Sequence, residues 1–486
     1  MSERILFISA EVTPLAKVGG LADVVGALPP ALRKLGADAR ILMPKYGVID
    51  EEKYPMEIRG QGIPVQIGQG TVYVDLWETK LPNTDTPVYL IGNDKFFGGS
   101  RIYFDASAFA SQFVEFERFL FFAMSSVAVL DALEWKPTII HCHDWHTGLI
   151  PALLKQEKPR IATVFTIHNL GNQGKWNTPD IFRFLGLQAQ DRASFSLTDS
   201  QGNFNCLLQG VVNADAVNTV SPSYAKEILT AEYGEGLEKT LQQQGDRLMG
   251  ILNGIDVERF DPSRNPDLPE HFSAEKLEGK IRAKEALQKE CNLEVNKEVP
   301  LFSFIGRLTD QKGMDLIGQS VEHILKLGGQ LVLLGSGMDE FEKIAQEAAA
   351  KYPGKVYTKI GFDAALAQRI YAGSDFFLMP SKYEPCGLGQ IIAMRYGTIP
   401  VVRATGGLKD TVPDYTMNSA EGRGFAFTPY AASDLQDAIT RAHQLYQNQT
   451  EFIQLQKRIM GIDLSWKQSA RQYLDLYTRA RQEQRP

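Results

Sequence analysis

Short runs of β-branched and aliphatic residues recur along the chain, separated by longer stretches with helical periodicity. Strands linked through helices pair in parallel, so this alternation selects an α/β architecture built on parallel sheets. In the first half, Ile5-Leu6-Phe7-Ile8, Ala39-Arg40-Ile41-Leu42, Thr138-Ile139-Ile140-His141, Thr163-Val164-Phe165-Thr166 and Ala216-Val217-Asn218-Thr219 read as strands. In the second, Leu301-Phe302-Ser303-Phe304-Ile305, Leu331-Val332-Leu333-Leu334, Phe376-Phe377-Leu378-Met379 and Ile399-Pro400-Val401-Val402 do the same. Between the halves, Leu252-Asn253-Gly254-Ile255-Asp256 is followed by Pro262, Pro266 and Pro269, a turn-rich stretch of the kind that links domains. At 486 residues the chain exceeds what one core organises. Two doubly wound, Rossmann-like domains are expected, over residues 1–250 and 251–465. The segment 466–486 is expected to return to the first domain as a helix. Two such domains facing one another would leave a cleft at the carboxyl ends of their strands, the usual ligand site of this architecture.

A formal net charge of −7 disfavours nucleic acid or an anionic membrane as a partner, though it leaves room for a few cations concentrated on an anionic small ligand. Cys142, Cys206, Cys291 and Cys386 are far apart and form no CxxC, which suits a reducing compartment. The apolar run Ile5 to Ala10 is too short for a signal-peptide core, and no stretch approaches the ~20 apolar residues of a membrane span. A cytoplasmic protein is expected, or a plastid stromal one; the sequence does not indicate an oligomeric state.

Several segments at strand ends could carry chemistry. Lys17-Val18-Gly19-Gly20-Leu21 stands between the first strand and a helix expected over Ala22 to Leu35. Glycine amides, a helix N-terminus and a lysine there suit a phosphate, although a plain strand-to-helix turn has the same look. His141-Cys142-His143-Asp144-Trp145-His146 ends a strand, so His141 and His143 should face one way, Cys142 and Asp144 the other. Zinc is disfavoured there, because the remaining histidines, His168 among them, look isolated; a sugar surface suits these residues better. Thr166-Ile167-His168-Asn169 ends the next strand, and its histidine alone could be structural.

In the second half, Arg307 and Lys312 share the loop Gly306–Gly313 after a strand, an arrangement suited to pyrophosphate as well as to an exposed pair of cations. Glu384-Pro385-Cys386-Gly387-Leu388-Gly389-Gln390 offers an acid for sugar hydroxyls and amides opening a helix, and Thr405-Gly406-Gly407-Leu408 adds a second glycine turn. No Asp-x-Asp occurs anywhere. A sugar transferase built this way would have to meet leaving-group charge with protein cations and helix dipoles instead of a metal.

In this order along the chain, the segments resemble the bacterial glycogen synthase and plant starch synthase family. The resemblance begins at Ser9-Ala10-Glu11 and Lys17-Val18-Gly19-Gly20-Leu21. It continues through His143-Asp144-Trp145-His146, Thr166-Ile167-His168-Asn169-Leu170 and Leu252-Asn253-Gly254-Ile255-Asp256, and ends with Glu384-Pro385-Cys386-Gly387-Leu388, Thr405-Gly406-Gly407-Leu408 and Ser465-Trp466. It implies a GT-B fold and a retaining glucosyltransferase that elongates α-1,4-glucan from ADP-glucose, without a metal or other cofactor. Its partners would be a nucleotide sugar and an α-glucan acceptor.

By the same resemblance, Lys17, Gly19 and Gly20 bind the donor, and Arg307 and Lys312 neutralise the departing diphosphate. Glu384 holds glucose hydroxyls beside the turn Cys386, Gly387, Leu388, Gly389, with Thr405 nearby. His168 lies near the reacting glucose, with Asp144 and Asn169 lining the same centre. Asn253 is a cleft residue and Phe362 an aromatic ring near the adenine. The chain departs from the family at Gly171-Asn172 and at Leu208, where the family has a lysine. Both changes fall on the acceptor side, and the alternative they raise is a catalytically weak glucan-binding or priming relative.

Overall fold

A computed structural model describes residues 3–103, 109–158, 160–186, 195, 198–199 and 201–483. The chain divides into two compact units, Met1–Asn253 with Trp466–Pro486, and Gly254–Ser465.

Among the described residues, the sheet of the first unit has nine strands in the order Leu248–Gly250, Ala216–Thr219, Ala162–Ile167, Ile139–His143, Arg4–Ile8, Asp38–Pro44, Pro87–Gly92, Gly70–Lys80 and Glu57–Ile67. The first seven pair in parallel. The last two form an antiparallel hairpin at one edge. All five strands expected in this half are present. They are almost entirely buried, as strands of a parallel sheet covered on both faces are. The hairpin was not expected; its first strand is mostly exposed and interrupted by Gly60, Gly62 and Pro64.

The helix after the first strand spans Gly20–Lys34, beginning two residues before the expected Ala22. The C-terminal helix Trp466–Glu483 buries Trp466, Ala470, Tyr473, Tyr477 and Ala480, a helical stripe that joins the first unit's core.

The second unit holds a six-stranded parallel sheet in the order Val356–Ile360, Gln330–Gly335, Leu301–Ile305, Phe376–Met379, Ile399–Arg403 and Phe425–Phe427. The four strands expected here are central; the two edge strands are short or only half-buried.

In each sheet the strand order reverses beside the unit's first strand. Arg4–Ile8 lies between Asp38–Pro44 and Ile139–His143, and Leu301–Ile305 lies between Gln330–Gly335 and Phe376–Met379. Loops leaving neighbouring strands diverge at such a reversal and open a crevice at the carboxyl ends. The motif loops 9–19 and 144–147 flank it in the first unit, and loops 306–313 and 380–388 flank it in the second.

Candidate active site

In the first unit, Lys17 lies in the loop after the first strand and pairs with both carboxylate oxygens of Asp23, at 2.6 and 2.7 Å. Of the glycine amides expected to suit a phosphate, that of Gly19 is already engaged within the loop, together with the amide of Val18. Both donate to Glu11 Oε2, at 2.6 and 2.7 Å, because the loop folds back over that side chain. Gly20 opens the helix.

At the end of Ile139–His143, His141 and His143 share one face as expected; their rings are 4.2 Å apart and both lie against Phe7. The strand's alternation stops at Asp144, whose backbone enters the left-handed region with φ 55°. Its Oδ1 accepts the His168 amide at 2.7 Å and the Asn169 amide at 3.4 Å, so one carboxylate ties two strand ends together. Burial pushes the Asp144 carboxyl up to about 7; the two amide bonds oppose that shift and the charge of Glu11 adds to it.

His168 is not isolated. Its Nε2 lies 3.0 Å from His143 Nδ1, since parallel pairing sets His143 beside Thr166 and brings the following residues together. Burial pushes His168 down to about 3 and holds His143 well below the usual histidine range. Both rings are therefore neutral at pH 7, and one donates to the other. His141 completes a polar chain to the C-terminal helix: Nδ1 meets the Tyr477 hydroxyl at 2.9 Å and Nε2 meets Thr166 Oγ1 at 2.6 Å. Thr166 donates to Asn218, which donates to Tyr473. Among the described residues, no group of three His, Cys, Asp or Glu side chains could hold a metal ion. Asn169 Oδ1 accepts the Gly171 amide at 3.0 Å, closing its own turn. Leu208 is buried in the core on the helix Cys206–Asn213. Asn253 is buried, and its Oδ1 has no hydrogen-bond partner among the described residues.

In the second unit the two motif loops meet. Lys312 Nζ lies 2.5 Å from Glu384 Oε2, which also accepts the Ser381 hydroxyl at 3.1 Å. Backbone contact makes this possible. The Lys382 amide donates to Gln311 O at 2.8 Å, and a Cβ on Gly313 (φ 76°) would fall 2.3 Å from Pro380 O. On the other side Gly406 (φ 44°) packs so closely that a Cβ would lie 2.0 Å from Glu384 O, while the Gly407 amide donates to that same oxygen. Thr405 is buried beneath them. Glycine is required here by approach and by dihedral together.

Arg307, in the same loop as Lys312, donates to Gln311 at 2.7 Å and remains exposed. The turn Cys386–Gly389 is held from behind by Gln390, whose Nε2 donates to the carbonyls of Cys386 and Gly387. Leu388 precedes the short helix Gly389–Arg395. Phe362 stands apart, two strands from Arg307 at the sheet edge, and the residue is 87% exposed.

The expected residues thus gather in two clusters, Asp144, His168 and Asn169 in one unit, Lys312, Glu384, Cys386–Gly389 and Thr405 in the other. Sequence reasoning did not single out Ser381, Gln390 or His143 as partners within them. His143 had a signal, lying on the same strand face as His141; Ser381 and Gln390 had none.

Residues 4–243 match the family described as starch synthase catalytic domain, and residues 288–458 that described as glycosyl transferases group 1. The glycogen synthase of Thermotoga petrophila is 42% identical, covering 98% of this chain and 99% of its own. The chain belongs to the glycogen and starch synthase family. A solved structure, the catalytic domain of starch synthase IV from Arabidopsis thaliana bound to ADP and acarbose, is similar with a TM-score of 0.91 and 33% identity, covering 99% of this chain and 100% of that one. Sucrose-phosphate synthase from Thermosynechococcus elongatus, 20% identical with a TM-score of 0.62 over 98% of each chain, shares the fold. The fold is GT-B, two α/β domains with parallel cores, and the chain is a glycosyltransferase of the glucan-elongating family. Both loops that carry the family's Lys-x-Gly-Gly-Leu and Glu-Pro-Cys-Gly-Leu motifs open at a strand-order reversal, where a ligand-binding crevice belongs.

Proposed function

We propose that this chain lengthens α-1,4-glucan with glucose from ADP-glucose, retaining the anomeric configuration and using no metal. The observation that carries this reading is the Lys312–Glu384 pair, a cation and an acid 2.5 Å apart in the crevice of the second unit. Glu384 is suited to accept hydrogen bonds from glucose hydroxyls, while Lys312 and the exposed Arg307 supply positive charge for a diphosphate. In the first unit, Lys17 is suited to bind an anion, and the amide clamp of Asp144 fixes His168 and Asn169 at a strand end, where they are suited to sugar hydroxyls. Phe362, an exposed residue, is suited to stack on adenine. ADP is the bound nucleotide of the Arabidopsis relative, which supports that base.

The carboxylates of the clusters are already engaged, Glu384 by Lys312 and Ser381 and Asp144 by two backbone amides, which disfavours either as a covalent nucleophile. A front-side displacement fits better: the bond from C1 to the phosphate oxygen breaks as the acceptor hydroxyl oxygen bonds C1 from the same face. The hydroxyl proton passes to the departing phosphate oxygen, leaving ADP and a glucan one residue longer. Charge develops on the diphosphate, so preorganised cations there lower the barrier.

The test offers labelled ADP-glucose and UDP-glucose separately with glycogen or maltooligosaccharides. Incorporation chiefly from ADP-glucose is expected. Binding of glucan without incorporation from either donor would replace this reading with that of a glucan-binding relative.

A further inference from the structure

One buried carboxylate beside the glycine loop has no role in the chemistry above. Glu11 is 4% exposed. Its Oε2 accepts the amides of Val18 and Gly19, and its Oε1 accepts the Tyr103 hydroxyl at 2.7 Å. Three donors aimed at two oxygens is the pattern of an acceptor-only carboxylate, and bonds to such a group are about twice as strong as neutral ones.

The Glu11 backbone is itself fixed. Ser9 Oγ donates to Glu11 O at 2.8 Å and accepts the Glu11 amide at 3.2 Å, and the Tyr46 hydroxyl donates to Ala10 O at 3.0 Å. The ring of Tyr103 stacks on His146 with centroids 5.3 Å apart. Upstream, the loop is tied by the reciprocal backbone bonds of Val12 and Ala16. Across Val18 and Gly19, which lie in no helix or strand, the backbone donors are held by Glu11. Irregular backbone needs such a partner to keep one shape.

We infer that Glu11 is a positioning residue for the donor loop, pinning Val18 and Gly19 so that Lys17 is presented in one place. The inference rests on the reading of Lys17 as a donor ligand given above. It also assigns the loop's contribution to the ammonium of Lys17, because two amides that could have met an anion are spent on Glu11. The arrangement repeats that of Asp144, which clamps the consecutive amides of His168 and Asn169.

The test uses the full chain with Glu11→Ala, Glu11→Gln and Tyr103→Phe. Amide hydrogen exchange over residues 17–20 is followed without ligand, and KM is measured separately for donor and acceptor. In Glu11→Ala, exchange at Val18 and Gly19 should rise roughly 10- to 100-fold, the scale of one or two lost buried hydrogen bonds. Donor KM should rise about tenfold while acceptor KM changes less than twofold, the signature of a misplaced donor contact. Glu11→Gln, which keeps one acceptor oxygen and the side-chain volume, and Tyr103→Phe, which removes one donor, should fall between. A lower melting temperature with unchanged loop exchange and donor KM would make Glu11 merely structural and overturn the inference. Exchange needs no substrate, so a chain that transfers no glucose would sink the functional reading while exchange still decides the clamp.

Discussion

Lys312 and Glu384 lie 72 residues apart in the chain, yet their charged atoms are 2.5 Å from one another. Parallel pairing of Leu301–Ile305 with Phe376–Met379 sets the two loops side by side, and close backbone contact at Gly313 seats one on the other. A pair so placed can exchange partners, Lys312 turning to an anion as Glu384 turns to sugar hydroxyls.

Replacing Lys312 or Arg307 by alanine should lower kcat by ~10²–10³, the usual scale for removing a group that stabilises transition-state charge. Arg307 is exposed, so its variant should melt within a few degrees of the parent; steady-state kinetics and a thermal melt check both points. Near-normal turnover in both variants would remove them from the reaction.

Gly406→Ala should be severe. The new Cβ would fall 2.0 Å from Glu384 O at a residue with φ 44°, so either the glycine turn or the acid must move. Destabilisation of ~2 kcal/mol or more is expected in urea unfolding, with a loss of kcat in whatever folds. An unchanged unfolding midpoint would contradict the packing described.

Asp144 should set opposite pH dependences for activity and stability. Its carboxyl is raised from an ordinary 3.8 to about 7, chiefly by burial. A raised pKa contributes stability fully present below about pH 4 and lost as pH rises through about 7. The ionised form is the one that clamps His168 and Asn169, so kcat/KM should climb over the same range. Glu11 and Tyr103 face this carboxyl, and His168 touches it through its amide. Comparing pH–rate profiles and melts of the parent with Asp144→Asn tests this: the limb near pH 7 should vanish and the variant should lose less stability between pH 4 and 8.

Lys280 supplies a prediction far from the sugar chemistry. Its ammonium is buried against Ala372 O and Thr398 Oγ1, and burial pushes its pKa down to about 7, with Asp375 opposing and Lys284 reinforcing. Between about pH 7 and 10.5 the unfolded chain then holds a proton that the folded chain has released, so this group makes stability rise with pH. Relative to Lys280→Met, the parent should gain up to about 1.4 kcal/mol per pH unit in that window, read from urea unfolding at pH 7.5 and 9. Equal slopes would contradict it.

How far the sequence reached is clear from particular residues. The central strands were legible because they are buried along nearly their whole length and so are rich in apolar and β-branched residues; Glu57–Ile67 was not, since it is an exposed edge broken by glycine and proline. Lys312 and Glu384 were each legible as chemistry at a strand end, but their pairing depends on strand order, which no local pattern encodes. His168 looked isolated because its neighbour His143 is 25 residues away, and only the parallel register joins them. The partner of the Gly19 amide was not legible for a related reason. A glycine loop shows that backbone can approach something, and here that something is Glu11.

The most direct test is transfer of labelled glucose from ADP-glucose to glycogen in excess EDTA, by the parent and by Lys312→Ala. If protein cations carry the leaving-group charge, the parent should transfer as fast with chelator as without, and the variant should fall by ~10²–10³ under both conditions. Transfer that stops in EDTA and returns with manganese, or a Lys312→Ala chain that keeps pace with the parent, would contradict the account.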